Sequence, residues 1–262
     1  MNPIITLTTD FGHKGPFVAV MKGVILQRAP TAHIVDLTHE ILVHWPAEAG
    51  FWLARSYRYF PTGSVHVAVV DPGVGTERNI VAVAYDGHVF LAPDNGLLAT
   101  VVGDGAKYGA WSLSDDWLQS RDWPLPSATF HGRDIFAPLA AGIATGDIRP
   151  ADIGPQTEEL VPSLLEEPTI SNDEIHGSVV TIDHFGNLIT NIDESLVNQL
   201  NSPQIRIASM HLDVHQTYGS VRPGDFLALI NSFGVLEIAR AEGSAADGLG
   251  LGRSAPVTVR GN

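Results

Sequence analysis

Three short acidic turns hold the densest reactive chemistry in the chain: Asp10-Phe-Gly12, Asp71-Pro-Gly73 and Asp94-Asn95-Gly96. Any one of them is ordinary turn chemistry, because an aspartate bonds nearby backbone amides and a glycine accepts positive φ. Each, however, follows directly on an apolar β-rich run. If those runs are neighbouring parallel strands, the three carboxylates meet at one edge, and clustered like charges need a cation or raised pKa values. Arg78 follows Asp71 across Gly73-Val-Gly75, a loop able to fold the chain back on itself. Taken alone that pair reads as a surface ion pair worth under ~1 kcal/mol. His131, in Thr129-Phe-His-Gly-Arg-Asp134, stands just ahead of an alanine-rich segment. It is either a capping residue or a polar group aimed at a ligand. Farther on, Asp183-His-Phe-Gly-Asn187 and Asn191 place amides among apolar residues. A buried amide needs partners, and its paired donor and acceptor suit the edge of a purine. Asn231-Ser232-Phe-Gly234 is a similar polar turn.

The elements around these turns alternate between strand and helix. Ile4–Thr9 reads as a strand, Pro16 to about Arg28 as a helix with Phe17, Val20, Met21, Val24 and Ile25 on one face, and His33–Leu37 as a second strand. Pro46 opens a helix to about Tyr57, and Val65–Val70 is a nearly continuous apolar run, the mark of a strand covered on both faces. Asp86-Gly87 between Ile80–Tyr85 and His88–Ala92 signals a tight hairpin. Leu97–Val102 and Ile135–Thr145 read as helices, the latter stopped by Gly146. This order predicts an α/β domain over residues 1–158 with a mostly parallel central sheet, whose ligands bind outside the carboxyl ends of the strands. Residues 159–172, with two prolines and three glutamates, read as a linker. Beyond it Ser178–Asp183, Leu188–Ile192, Gln204–Ala208, Phe226–Ile230, Val235–Ala239 and Val257–Val259 are short β-rich runs with few helix signals. They predict an all-β, barrel-like domain over residues 173–262.

Bulk properties narrow the function. The 262 residues carry 15 basic and 29 acidic side chains, a formal charge of −14, which repels nucleic acid and anionic membrane and draws cations. No cysteine is present, so thiolate nucleophiles and thiolate metal sites are excluded. No stretch approaches the ~20 apolar residues of a membrane span, and no signal-peptide pattern opens the sequence; the reading is cytoplasmic. There is no GxGxxG after a strand, no GxxxxGK[ST], no HExxH and no GxSxG. The eleven histidines lack metal-ligand spacing. A divalent ion on Asp10, Asp71, His39 and His131 remains the alternative enzyme reading.

At these motifs the chain resembles the S-adenosylmethionine hydroxide adenosyltransferases (S-adenosylmethionine hydrolases), relatives of the fluorinating and chlorinating enzymes. The resemblance covers nearly the whole length and runs in order through Thr8-Thr-Asp-Phe-Gly12, Met21-Lys-Gly-Val-Ile25, Thr38-His-Glu-Ile41, Val70-Asp-Pro-Gly-Val-Gly75, Ala92-Pro-Asp-Asn-Gly-Leu-Leu98, Phe130-His-Gly-Arg-Asp134, Asp183-His-Phe-Gly-Asn187 and Asn231-Ser-Phe-Gly234. It implies attack of water or hydroxide on the 5′ carbon of S-adenosylmethionine, giving adenosine and methionine without metal or cofactor, in a homotrimer with sites between subunits. The family's Asp–Arg–His triad falls on Asp71, Arg78 and His131. By the same carry-over Asp10 binds the ribose, Asp183 the methionine ammonium, Asn187 the adenine and Ser232 the methionine end, with Asp94 and Asn95 as further substrate contacts. Phe233 stands where halogenating relatives carry an arginine, so the methionine carboxylate is not expected to be bound as it is there. Asp71 stands where halide users have an aromatic residue, and the long loop of the fluorinating enzymes is missing between Val81-Ala-Val-Ala and Phe90-Leu-Ala-Pro, so halogenation is not expected. A halide-using transferase and a nucleoside-binding module with little turnover are the competing readings.

Overall fold

The computed structural model describes residues 2–261 except 104 and 172. Asn172, the far end of the expected linker, lies outside the described residues, as do Met1 and Asn262, the outer ends of the two expected domains. The chain divides into two compact units, Met1–Leu164 and Leu165–Asn262.

In unit 1 the order is β1 (Ile4–Thr9), α1 (Phe17–Arg28), β2 (His33–Thr38), α2 (Pro46–Ser56), β3 (Val65–Val69), β4 (Ile80–Tyr85), β5 (His88–Pro93), α3 (Leu97–Val102), β6 (Gly109–Ser112), α4 (Asp115–Ser120) and α5 (Ala137–Thr145). The strands form one sheet in the order β2-β1-β3-β5-β4-β6. The pairs β1–β2, β1–β3 and β3–β5 are parallel, while β4 runs antiparallel to both β5 and β6. The hairpin signal holds: Asp86 and Gly87 have φ of 49° and 78°, the left-handed pair a two-residue turn needs. β3 is buried along its whole length because both sheet faces are covered. One face packs Ile5, Leu7, Val65 and Val67 against Met21, Ile25, Leu139 and Ala140 of α1 and α5. The other packs Ala68, Val70, Val81 and Phe90 against Leu53, Leu97, Leu98 and Val101 of α2 and α3.

One element departs from the sequence reading. The alanine-rich segment expected as a single helix from Ile135 begins instead with a π-helical turn over Gly132–Phe136, closed by the Ala137 amide on the Gly132 carbonyl. Pro138 explains it. Lacking an N–H, it cannot bond the carbonyl four residues back, and Trp123 Nε1 donates to that Asp134 carbonyl instead, at 2.9 Å. His131 is the residue at the mouth of this widened turn. β6 and α4 lie where no element was expected.

In unit 2 the order is β7 (Thr169–Ser171), β8 (Glu174–Ile182), β9 (Leu188–Asp193), α6 (Glu194–Val197), β10 (Gln204–Ile207), β11 (Met210–His215), β12 (Phe226–Ile230), β13 (Val235–Arg240), α7 (Ala245–Leu249) and β14 (Pro256–Arg260). The strand order β14-β10-β11-β12-β13-β9-β8 closes on itself through β14–β8, a seven-stranded barrel with β7 added outside β8. Alternate residues such as Ile175, Leu188, Ile205, Leu212, Leu236, Ile238, Val257 and Val259 fill its core. No helix among the described residues is long and apolar enough to cross a membrane.

Candidate active site

The sheet order settles where the acidic turns lie. β1, β3 and β5 are parallel neighbours, so Asp10, Asp71 and Asp94, each just past a strand end, come out side by side at the carboxyl edge. They do not share one cation. Asp10 Oδ2 accepts the His44 amide at 3.0 Å, and Asp94 Oδ1 accepts the Val161 amide at 2.9 Å. Asp94 titrates above the usual carboxylate range because it is desolvated, with the Val161 bond opposing. Gly96 packs this turn closely against the chain. Its φ is +92°, and a Cβ there would run into the Pro162 carbonyl.

Asp71 is different. Arg78 Nε donates to Asp71 Oδ1 and Oδ2 at 3.1 and 3.0 Å, and Nη2 to Oδ2 at 2.5 Å. The side chains are 4% and 12% exposed, so this is a nearly buried pair and not the surface one that the sequence left open. Gly75 permits it. With φ of +75° and the Ala128 carbonyl where a Cβ would sit, only glycine lets the loop return Arg78 to Asp71. Arg78 Nη2 also donates to His131 Nδ1 at 2.8 Å. The three residues therefore form a chain with arginine in the middle, and two of them line a cavity of about 250 Å³.

That order fixes the histidine's chemistry. A guanidinium only donates, so Nδ1 must accept and the neutral ring carries its proton on Nε2. Burial, then the Arg78 charge, push the His131 pKa below the ordinary histidine range, against smaller opposing effects of Asp71 and Asp134. The ring is thus a neutral donor through Nε2–H, which makes no hydrogen bond among the described residues. Nearby, Asn95 Nδ2 donates to the Val70 carbonyl at 2.9 Å, while its buried Oδ1 has no partner among the described residues. His39, weighed as a metal ligand, is tied to Thr9 Oγ1 through Nδ1 at 2.8 Å and lies 3.1 Å from Asp36 Oδ1. Among the described residues no group of three His, Asp or Glu is arranged to hold a metal ion.

In unit 2, Asp183 Oδ1 accepts the amides of Phe185 and Asn187, both at 2.9 Å, and Oδ2 accepts Asn187 Nδ2 at 3.0 Å. The amide of Asn187 is held by its nitrogen, leaving Oδ1 without a hydrogen bond among the described residues. Asn187 lines a cavity of about 500 Å³ with Phe185, Tyr218, Arg240 and Ser244. Asn191, read alongside it as a purine contact, is spent on structure: Oδ1 accepts the Ser178 amide at 2.8 Å and Nδ2 donates to the Glu166 carbonyl at 2.7 Å. Ser232 is exposed on its turn. Tyr218 was missed by sequence reasoning; nothing around it in sequence marks it as a wall residue.

Residues 5–154 match the family described as the SAM hydroxide adenosyltransferase N-terminal domain, and residues 177–258 match the C-terminal domain of the same name. The chain belongs to the SAM hydroxide adenosyltransferase family. An (R)-S-adenosyl-L-methionine hydrolase of Thermus thermophilus is 36% identical, over 99% of this chain and 100% of that protein. One from Salinispora arenicola is 38% identical over 94% and 93%. The crystal structure of an uncharacterized conserved protein from Thermotoga maritima superposes with a TM-score of 0.88 at 31% identity, covering 98% of this chain and 99% of that one. A fluorinase of Actinoplanes sp. is more distant, at 28% identity. The SAM hydroxide adenosyltransferase resemblance read from the motifs is borne out over both units.

Proposed function

We propose that this chain hydrolyses S-adenosylmethionine to adenosine and methionine by in-line attack of a water-derived oxygen on the ribose 5′ carbon. The observation that carries it is the Asp71–Arg78–His131 chain, which presents a neutral imidazole N–H held by a fixed cation. The C–O bond forms as the C–S bond breaks, the bonding pair leaves on sulfur as a neutral thioether, and the proton that the water loses passes to solvent. No general acid is needed at the leaving group. What the protein must supply is an oxygen held about 3–3.5 Å from carbon in line with the C–S bond and stripped of its solvent. A donor on Nε2 orients such an oxygen and favours its hydroxide form. Asp71 keeps Arg78 oriented, and its buried charge repels halide ions.

The recognition groups follow their free atoms. Asp10, held at Oδ2, keeps Oδ1 for the ribose hydroxyls, and Asn95 Oδ1 is a second acceptor. Asn187 Oδ1 accepts from the adenine amino group and Ser232 faces the methionine end, whereas Asp183, whose oxygens already accept three internal bonds, acts on the ammonium through its charge. Asp94 is assigned to the wall. A homotrimer and a cytoplasmic setting belong to the same reading, and light scattering in solution tests the first. The deciding experiment is incubation of the purified, chelator-treated protein with S-adenosylmethionine, followed by chromatography. Adenosine and methionine in equal amounts are expected; intact substrate sinks the proposal.

A further inference from the structure

Glu237 lies in the middle of β13 and is 2% exposed. A carboxylate inside a barrel strand is harder to bury than an apolar side chain of the same size, so its partners are informative. Both are donors: Tyr218 Oη gives its proton to Oε1 at 2.8 Å, and Asn231 Nδ2 donates to Oε2 at 3.1 Å. Donors on both oxygens match an ionised carboxylate, which only accepts. Each partner then shapes something else. Tyr218 walls the cavity that Asn187 lines. Asn231 Oδ1 accepts the Phe233 amide at 2.9 Å and so fixes the turn that presents Ser232.

A second carboxylate stands close by. Burial, the largest cause, and the Asp183 charge raise the Glu237 pKa, while the two donated bonds lower it. The same Asp183 charge acts on the Tyr218 hydroxyl. Among the described residues neither Asp183 nor Glu237 has a cationic partner. Two acidic groups that accept hydrogen bonds but make no ion pair among the described residues suit a cationic ligand.

We propose that Glu237 is a positioning residue for cation recognition: with Asp183 it makes a paired negative field for the substrate's α-ammonium, and through its two hydrogen bonds it holds Tyr218 and the Ser232 turn. The inference rests on S-adenosylmethionine being the substrate. It is tested with wild type, Glu237→Gln and Tyr218→Phe against three ligands: S-adenosylmethionine, the 5′-dimethylsulfonium analogue of adenosine (sulfonium without ammonium) and adenosine. Glutamine keeps the volume and an acceptor for Tyr218, but it removes the charge and turns a donor towards Asn231 Nδ2, losing that bond. Glu237→Gln is expected to raise KM for S-adenosylmethionine about tenfold with kcat within about twofold, as loss of one charge partner at a binding site does. Its handling of the analogue and its affinity for adenosine stay within about twofold of wild type. Tyr218→Phe, which keeps the ring and removes one donor, gives a smaller KM rise for S-adenosylmethionine alone. Equal weakening of all three ligands, or no change in any, overturns the inference. The same ligands are titrated by calorimetry. A wild type without turnover would then count against the hydrolase reading alone, while the ratio of affinities still decides Glu237.

Discussion

Unit 1 carries a histidine-centred polar group at each end of its sheet, and the two have opposite characters. Past the carboxyl end of β3, His131 meets a charged pair and its Nε2 makes no hydrogen bond among the described residues. At the amino end, His66 on β3 and His88 on β5 are 0% and 5% exposed and bond each other, Nε2 to Nδ1, at 3.1 Å. His66 Nδ1 also meets Thr6 Oγ1 at 2.8 Å. Tyr57, Phe60 and Phe90 box the pair in. Burial drives the His66 pKa down to about 3, with the His88 charge adding to it. Both groups are hydrogen-bonded histidines on the same fold. What separates them is a fixed cation and a donor left over for something outside the protein, not burial or bond count.

The largest expected difference is in turnover. Arg78→Ala or His131→Ala should lower kcat by about 10³-fold, the usual cost of removing a preorganised donor or its support. His66→Gln should leave kcat nearly unchanged. Adenosine formation measures both, and equal losses at the two centres would erase the distinction.

Stability against acid should separate them next. His66 takes up its proton at about pH 3 when folded and at 6.5, the ordinary histidine value, when unfolded. Between those values the unfolded chain holds more protons, so this contribution is complete above pH 6.5 and is lost as pH falls towards 3. Urea unfolding at about pH 7 and about pH 4 should differ by roughly 3 kcal/mol from this group alone. A His66→Phe variant that kept the full difference would exclude the histidine pair as its source.

A milder pH effect belongs to the triad. Because His131 titrates below the ordinary histidine range, kcat should hold steady through mildly acidic pH. It should drop only when a protonated Nδ1 comes to face the Arg78 donor. A kcat that instead follows an ordinary histidine titration would show that Arg78 does not hold the ring.

The smallest effect is expected from Asp94→Ala. It removes one bond to the Val161 amide and should cost about 1 kcal/mol of stability, with KM changed less than about threefold. A large KM change would move Asp94 from the wall into the substrate site.

Much of this was written locally in the chain. Apolar runs, the Asp86-Gly87 turn and the breaks at proline and glycine mark the strands of unit 1, because period and turn chemistry act over a few residues. The ordered motifs identify the family for the same reason. β11 was not read from the sequence, although Met210, Leu212 and Val214 alternate with polar residues; His211, Asp213 and His215 interrupt the apolar run by which the other strands were read. Other features depend on residues far apart. Only the strand order puts three acidic turns side by side, and only the folded loop sets Arg78 between Asp71 and His131, 53 residues further on. The π-helical turn at His131 needs Trp123 to take up the carbonyl that Pro138 cannot bond. The barrel closes through β14 on β8, and Tyr218 finds Glu237 across 19 residues of chain. Local pattern determined which elements form and which residues can react. Which of those residues meet, and which atoms they leave free, was decided by packing, because a hydrogen bond spent inside the fold is unavailable to a ligand.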